Sequence, residues 1–113
     1  MAKIIGVHQF ELKPGVKPED FEQAMREEIA KALDLRGTRM YLTKGERGEQ
    51  VGDYLIMWEF ESVERRNEIF PVQGQSSEEC QRWIEATASL WQTLSKMTTR
   101  KTPFTDYVVI ASS

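Results

Sequence analysis

A period of two opens the chain. Over residues 3–13, Ile4, Gly6, His8, Phe10 and Leu12 share one parity, and Ile5, Val7, Gln9 and Glu11 the other, which predicts a strand. Pro14-Gly15 end it with turn chemistry. Pro18 suits a first helical position, and Glu19 and Asp20 suit the positive end of a helix dipole. Phe21, Ala24, Met25, Ile29, Ala32 and Leu33 then recur at helical spacing, predicting an amphipathic helix over 18–34 that Gly37 closes.

Residues 38–44 predict a second strand. Gly45, Gly48 and Gly52 bracket a charged tip, the mark of a long hairpin loop. A third strand follows at 53–61, with Tyr54, Ile56, Trp58 and Phe60 on one face and Leu55, Met57 and Glu59 on the other. Ser62 is the expected N-cap of a short helix over 62–70 that Pro71 ends. After a loop at 72–75, Ser76 and Glu79 form a capping box for a long helix over 77–98. Cys80, Trp83, Ile84, Thr87, Trp91 and Leu94 make its apolar stripe, with Leu90 and Met97 at the shoulder. Pro103 resets the chain, and 104–111 predict the last strand.

The order β-α-β-β-α-α-β predicts an α+β fold of ferredoxin-like type. One four-stranded antiparallel sheet carries the helices on one face, with strand order 4-1-3-2, in a single domain over 1–113. Such a sheet needs a polar second face if that face meets water. Here Ile5, Val7, Leu55 and Met57 occupy it, and the last strand is apolar at both parities. At about 25 cal/mol per Å² of apolar surface, an uncovered patch of this kind is costly. A second copy stacked on that face is the expected solution, so the chain is read as a homodimer; a monomer with a greasy sheet is the alternative.

Composition narrows the function. The 113 residues carry a net charge of −3, and the basic residues are scattered, so no nucleic-acid partner is expected. One cysteine, Cys80, rules out an intrachain disulfide and fits a reducing compartment. With no signal-like start and no long apolar run, no membrane association is expected, and the location read is the cytoplasm. One His and one Cys cannot build the usual zinc cage, so no metal is expected.

The stretches Phe10-Glu11-Leu12-Lys13-Pro14-Gly15 and Trp58-Glu59-Phe60-Glu61-Ser62-Val63-Glu64 resemble strand-to-helix junctions of the dimeric α+β barrel superfamily. That group includes antibiotic-biosynthesis-type monooxygenases, heme-degrading monooxygenases, NIPSNAP-like proteins and stress-responsive A/B barrel proteins. The resemblance runs over almost the whole chain in element order. It implies a dimer and a cavity between sheet and helices. By the resemblance, His8 takes the place of a polar first-strand residue that points into that cavity, and Phe60 that of an aromatic near the end of the third strand. The heme-ligating histidine of the heme-degrading members has no counterpart here, nor has the second histidine of the cyclases.

His8 is therefore the one catalytic candidate, a proton acceptor at neutral pH. Phe10, Tyr54, Trp58, Phe60, Trp83 and Trp91 are the candidate substrate-binding residues, with the Tyr54 or Tyr107 hydroxyl available to orient a ligand oxygen. The expected function is a small-molecule enzyme without metal or organic cofactor. It would be of monooxygenase, isomerase or cyclase type, acting on a hydrophobic, aromatic or polyketide-like compound. Three readings stay open beside it: His8 as an ordinary core residue, a non-catalytic binding or stress-related dimer using the same aromatics, and heme binding through His8.

Overall fold

The computed structural model describes residues 2–32, 35–71 and 77–113. Among them the order is β1 (Ile4–Leu12), α1 (Pro18–Ala30), β2 (Thr38–Lys44), β3 (Tyr54–Phe60), α2 (Val63–Ile69), α3 (Glu78–Met97), β4 (Thr98–Arg100) and β5 (Thr105–Val108). The sheet is antiparallel, with β2, β3 and β1 side by side, and both β4 and β5 pair with the far edge of β1.

The predicted strand order holds, but the last position is shared. β4 pairs with Phe10–Leu12 and β5 with Ile4–Val7, so two short pieces lie end to end along one edge. Pro103 falls between them and has no N–H to give a ladder, which separates β4 from β5; the strand predicted over 104–111 is β5, shortened to Thr105–Val108. β4 was not foreseen, because Thr98 continues directly from α3; its Oγ1 donates to Leu94 O at 2.6 Å.

Two helix boundaries differ from expectation. α1 stops at Ala30, and its C-cap is Lys31 rather than the Gly37 region; Leu33 lies outside the described residues. Gly37 instead adopts a φ of +74° in the turn into β2. α3 is capped by Ser77, whose Oγ accepts from Cys80 N at 3.0 Å and donates to Ile69 O at 2.7 Å. The predicted partner Ser76 and the 72–75 loop lie outside the described residues, and Glu79 turns to Arg65 instead of closing a capping box. The Ser62 cap of α2 forms as expected, accepting from Arg65 N at 3.0 Å.

All three helices cover the same sheet face. Phe21 and Met25 of α1 and Leu90 and Leu94 of α3 pack on Phe10, Tyr54 and Ile56. Leu35 and Ile69 pack on Ile4 and Phe60 in a second cluster, and Trp58 joins the two. The other face carries Tyr41, Met57 and Val7 in one cross-strand row, with Ile5 opposite Tyr107 beside it. Tyr41 and Tyr107 are exposed, and Ile5, Val7, Leu55 and Met57 half-buried, in the single chain. This apolar row ends at the Lys3–Glu59 ion pair, 3.2 Å, on one side and at Lys101–Asp53, 2.9 Å, on the other.

Arg65 locks the helix layer. It is buried, and its Nη1 and Nη2 donate to the two Glu79 oxygens at 2.8 and 2.6 Å, while Nε donates to Arg36 O at 2.9 Å. The guanidinium thus ties α2, α3 and the turn before β2 together. The hydrogen bonds that Arg65 donates to Glu79 raise the Arg65 pKa beyond its ordinary value and lower that of Glu79.

Candidate functional site

β1 turns His8 toward the helices, opposite Ile56, at the centre of an aromatic cluster. Its ring stacks on Phe10 at 5.7 Å and meets Phe104 at 4.4 Å, Trp91 at 5.7 Å and the edge of Trp58 at 6.2 Å. Trp58 in turn meets Trp83 at 4.6 Å and Trp91 at 5.8 Å. About two turns of α3 and the middle of β3 therefore deliver all three tryptophans of the chain to one place.

The imidazole is half-buried, and Nδ1 is shut off from solvent with no hydrogen-bond partner among the described residues. Desolvation lowers its pKa below 6.5, and the Arg100 charge lowers it further, against a smaller opposing pull from Asp106. At neutral pH the ring is uncharged and carries a lone pair.

Asp106 comes to the same place from β5. It lies opposite Gly6 in the ladder, and its Oδ2 is paired with Arg66 Nη1. Oδ1 is buried without a partner among the described residues. A Cβ at Gly6 would lie 2.7 Å from that oxygen and 2.8 Å from the Phe104 ring, so only glycine leaves room for both.

A cavity of about 420 Å³ opens beside the cluster, lined by Ile29, Leu35, Met40, Phe60, Phe70 and Trp83 among others, with Trp58 as a shared wall. A second cavity of about 420 Å³ lies between α1 and β2, and Ile29 borders both. The second is edged by Tyr54, whose hydroxyl donates to Glu22 Oε2 at 2.6 Å, and by Lys44, which reaches the same oxygen at 2.9 Å.

The residues named from sequence thus divide. Trp58, Phe60 and Trp83 line the first cavity and Tyr54 the second; His8, Phe10 and Trp91 form the cluster and line neither. Tyr54 is engaged by Glu22, and Tyr107 lies on the opposite sheet face from His8. Asp106, Arg66, Phe104 and Phe70 were not anticipated. One signal was present: Asp106 is the one charge in the predicted strand 104–111, at the parity that faces the core.

No protein-family model matches the chain, and no curated protein does. Solved structures do. A variant of SnoaB, a cofactor-independent oxygenase from Streptomyces nogalater, superposes with a TM-score of 0.63 at 13% identity, covering 97% of this chain and 95% of that one. A dimeric protein of ferredoxin-like fold from Bacteroides fragilis gives 0.55 at 10% identity, covering 93% and 94%. The fold is ferredoxin-like. A NIPSNAP-like domain protein from Burkholderia xenovorans shares it at 0.53 and 16% identity, covering 98% and 86%. Among the described residues, no helix is long and apolar enough to cross a membrane.

Proposed function

We propose that this chain is a homodimeric small-molecule enzyme that works without metal or organic cofactor, with His8 as its proton acceptor and a flat hydrophobic compound as its substrate. The observation that carries the reading is the neutral, desolvated imidazole whose Nδ1 has no partner among the described residues, inside a cluster of aromatic rings. A buried polar atom without a partner costs roughly 1–3 kcal/mol, and a ligand group that meets it recovers that cost. The adjoining cavity offers Trp58, Trp83, Phe60 and Phe70 to the body of a planar molecule. The likeness to an oxygenase that needs no cofactor supports oxygenation as the reaction type.

In that reaction His8 takes a proton from an acidic C–H of the substrate. The resulting carbanion is electron-rich enough to reduce dioxygen itself; one oxygen atom enters the product as a carbonyl and the other leaves as water. Desolvation keeps the base neutral before the step, and ring stacking positions the carbon. The half-buried apolar row on the open sheet face, with Tyr41 and Tyr107 exposed beside it, supports the second copy.

Anthrone, which has one acidic methylene, is a suitable probe. The wild-type protein is expected to consume oxygen and form anthraquinone, and His8→Gln to lose about a hundredfold or more of the rate. A folded His8→Gln protein with full turnover would remove the mechanism. A second reading has its own observation: neither cavity counts His8 among its lining residues. Saturable binding of anthrone with no product, indifferent to His8→Gln, would favour a carrier.

A further inference from the structure

Three features converge on the Asp106 carboxylate. Arg66 from α2 holds Oδ2 and so fixes the rotation of the group. Gly6 leaves the space in which Oδ1 lies, beside the Phe104 ring that also touches His8. Oδ1 itself is buried and has no partner among the described residues, as is true of His8 Nδ1. The two atoms do not satisfy one another, although Gly6 and His8 are next neighbours on one face of β1.

A carboxylate oxygen only accepts hydrogen bonds, so its complement is an O–H or N–H. We infer that Asp106, oriented by Arg66 over the bare Gly6, is the second polar anchor of the site and accepts a hydrogen bond from a hydroxyl or N–H on the ligand that meets His8. This rests on the reading of the His8 cluster as a ligand site. It narrows the ligand class to planar aromatics bearing a hydrogen-bond donor on the edge that enters the cluster. The charged groups around the imidazole are Arg100 from β4 and Asp106 from β5, with Arg66 from α2 on the far oxygen of Asp106; α3 contributes Trp91. The carboxylate therefore also supports the imidazolium formed when His8 takes a proton.

The test compares 1-naphthol, which has a donor, with 1-methoxynaphthalene, which has the same rings and none. Affinities are read from quenching of tryptophan fluorescence, without oxygen. Asp106→Asn is expected to weaken 1-naphthol about tenfold and to leave 1-methoxynaphthalene unchanged. In the same variant the His8 pKa, read by NMR from the only histidine of the chain, is expected to fall. Gly6→Ala, which displaces the carboxylate without changing its charge, should reproduce the loss of naphthol preference and serves if Asp106→Asn fails to fold. Equal naphthol binding by wild type and both variants overturns the inference, as does a wild-type protein that does not bind naphthol saturably. A naphthol effect with an unmoved His8 pKa also overturns it, since the carboxylate would then act away from the imidazole. None of these readouts needs turnover, so an active His8→Gln protein would sink the catalytic reading and leave this one standing.

Discussion

The His8 and Phe104 rings lie 4.4 Å apart, tilted by 32°, so the residue that leads into the last strand closes over a titratable group on the first. Protonating His8 would place a cation in that contact. Its folded pKa is depressed below the unfolded value of 6.5, chiefly by burial. Between those two values the unfolded chain binds the proton and the folded one does not, so stability falls as pH drops through that window and levels off below it. Chemical denaturation from pH 8 to pH 5 is expected to show this loss starting near 6.5. His8→Phe should flatten it, because the chain has no other histidine. An unchanged slope in that variant would contradict the assignment.

Arg65 is the polar residue on which the helix layer depends. Arg65→Met keeps the buried stem and removes both hydrogen bonds to Glu79 and the one to Arg36 O. A loss on the order of 3 kcal/mol is expected, toward the lower end for a buried pair because Glu79 is partly exposed. Arg36→Met, at a mostly exposed ion pair, should cost under about 1 kcal/mol. Urea denaturation of the two variants checks the order.

Val7 sits in the middle of the open apolar row, opposite Met57 and Thr105. Val7→Glu leaves the helix-side core untouched and places a charge where the second copy is proposed to stack. Sedimentation velocity at micromolar concentration is expected to show a dimer for the wild type and a monomer for the variant. A wild-type monomer would remove the partner subunit from the proposal.

Ile29 borders both cavities. Ile29→Trp should fill the space at their junction and weaken binding of anthrone by tenfold or more, about 1.4 kcal/mol. Because Ile29 lies on α1 and the charges that act on His8, Arg100 and Asp106, lie on β4 and β5, the His8 titration seen by NMR should not move. Unaltered anthrone binding would place the ligand elsewhere.

Periodicity alone determined much of this molecule. The alternation in residues 4–12 and 54–60 and the helical recurrence of Phe21 and Met25 set element type and the identity of the core face, because side-chain direction along a strand or helix is a local property. The same parity exposed the greasy second face, and it put His8 among aromatics. The tertiary structure decided what lies beside what. The division of the final edge into β4 and β5 depends on where β1 has hydrogen bonds to spare, and the partnership of Arg65 with Glu79 on the packing of α2 against α3. That Trp58 and Trp83 wall a cavity while Phe10 and Trp91 pack on His8, and that Asp106 comes to rest over Gly6, follows from close packing in three dimensions, which no one-dimensional pattern encodes.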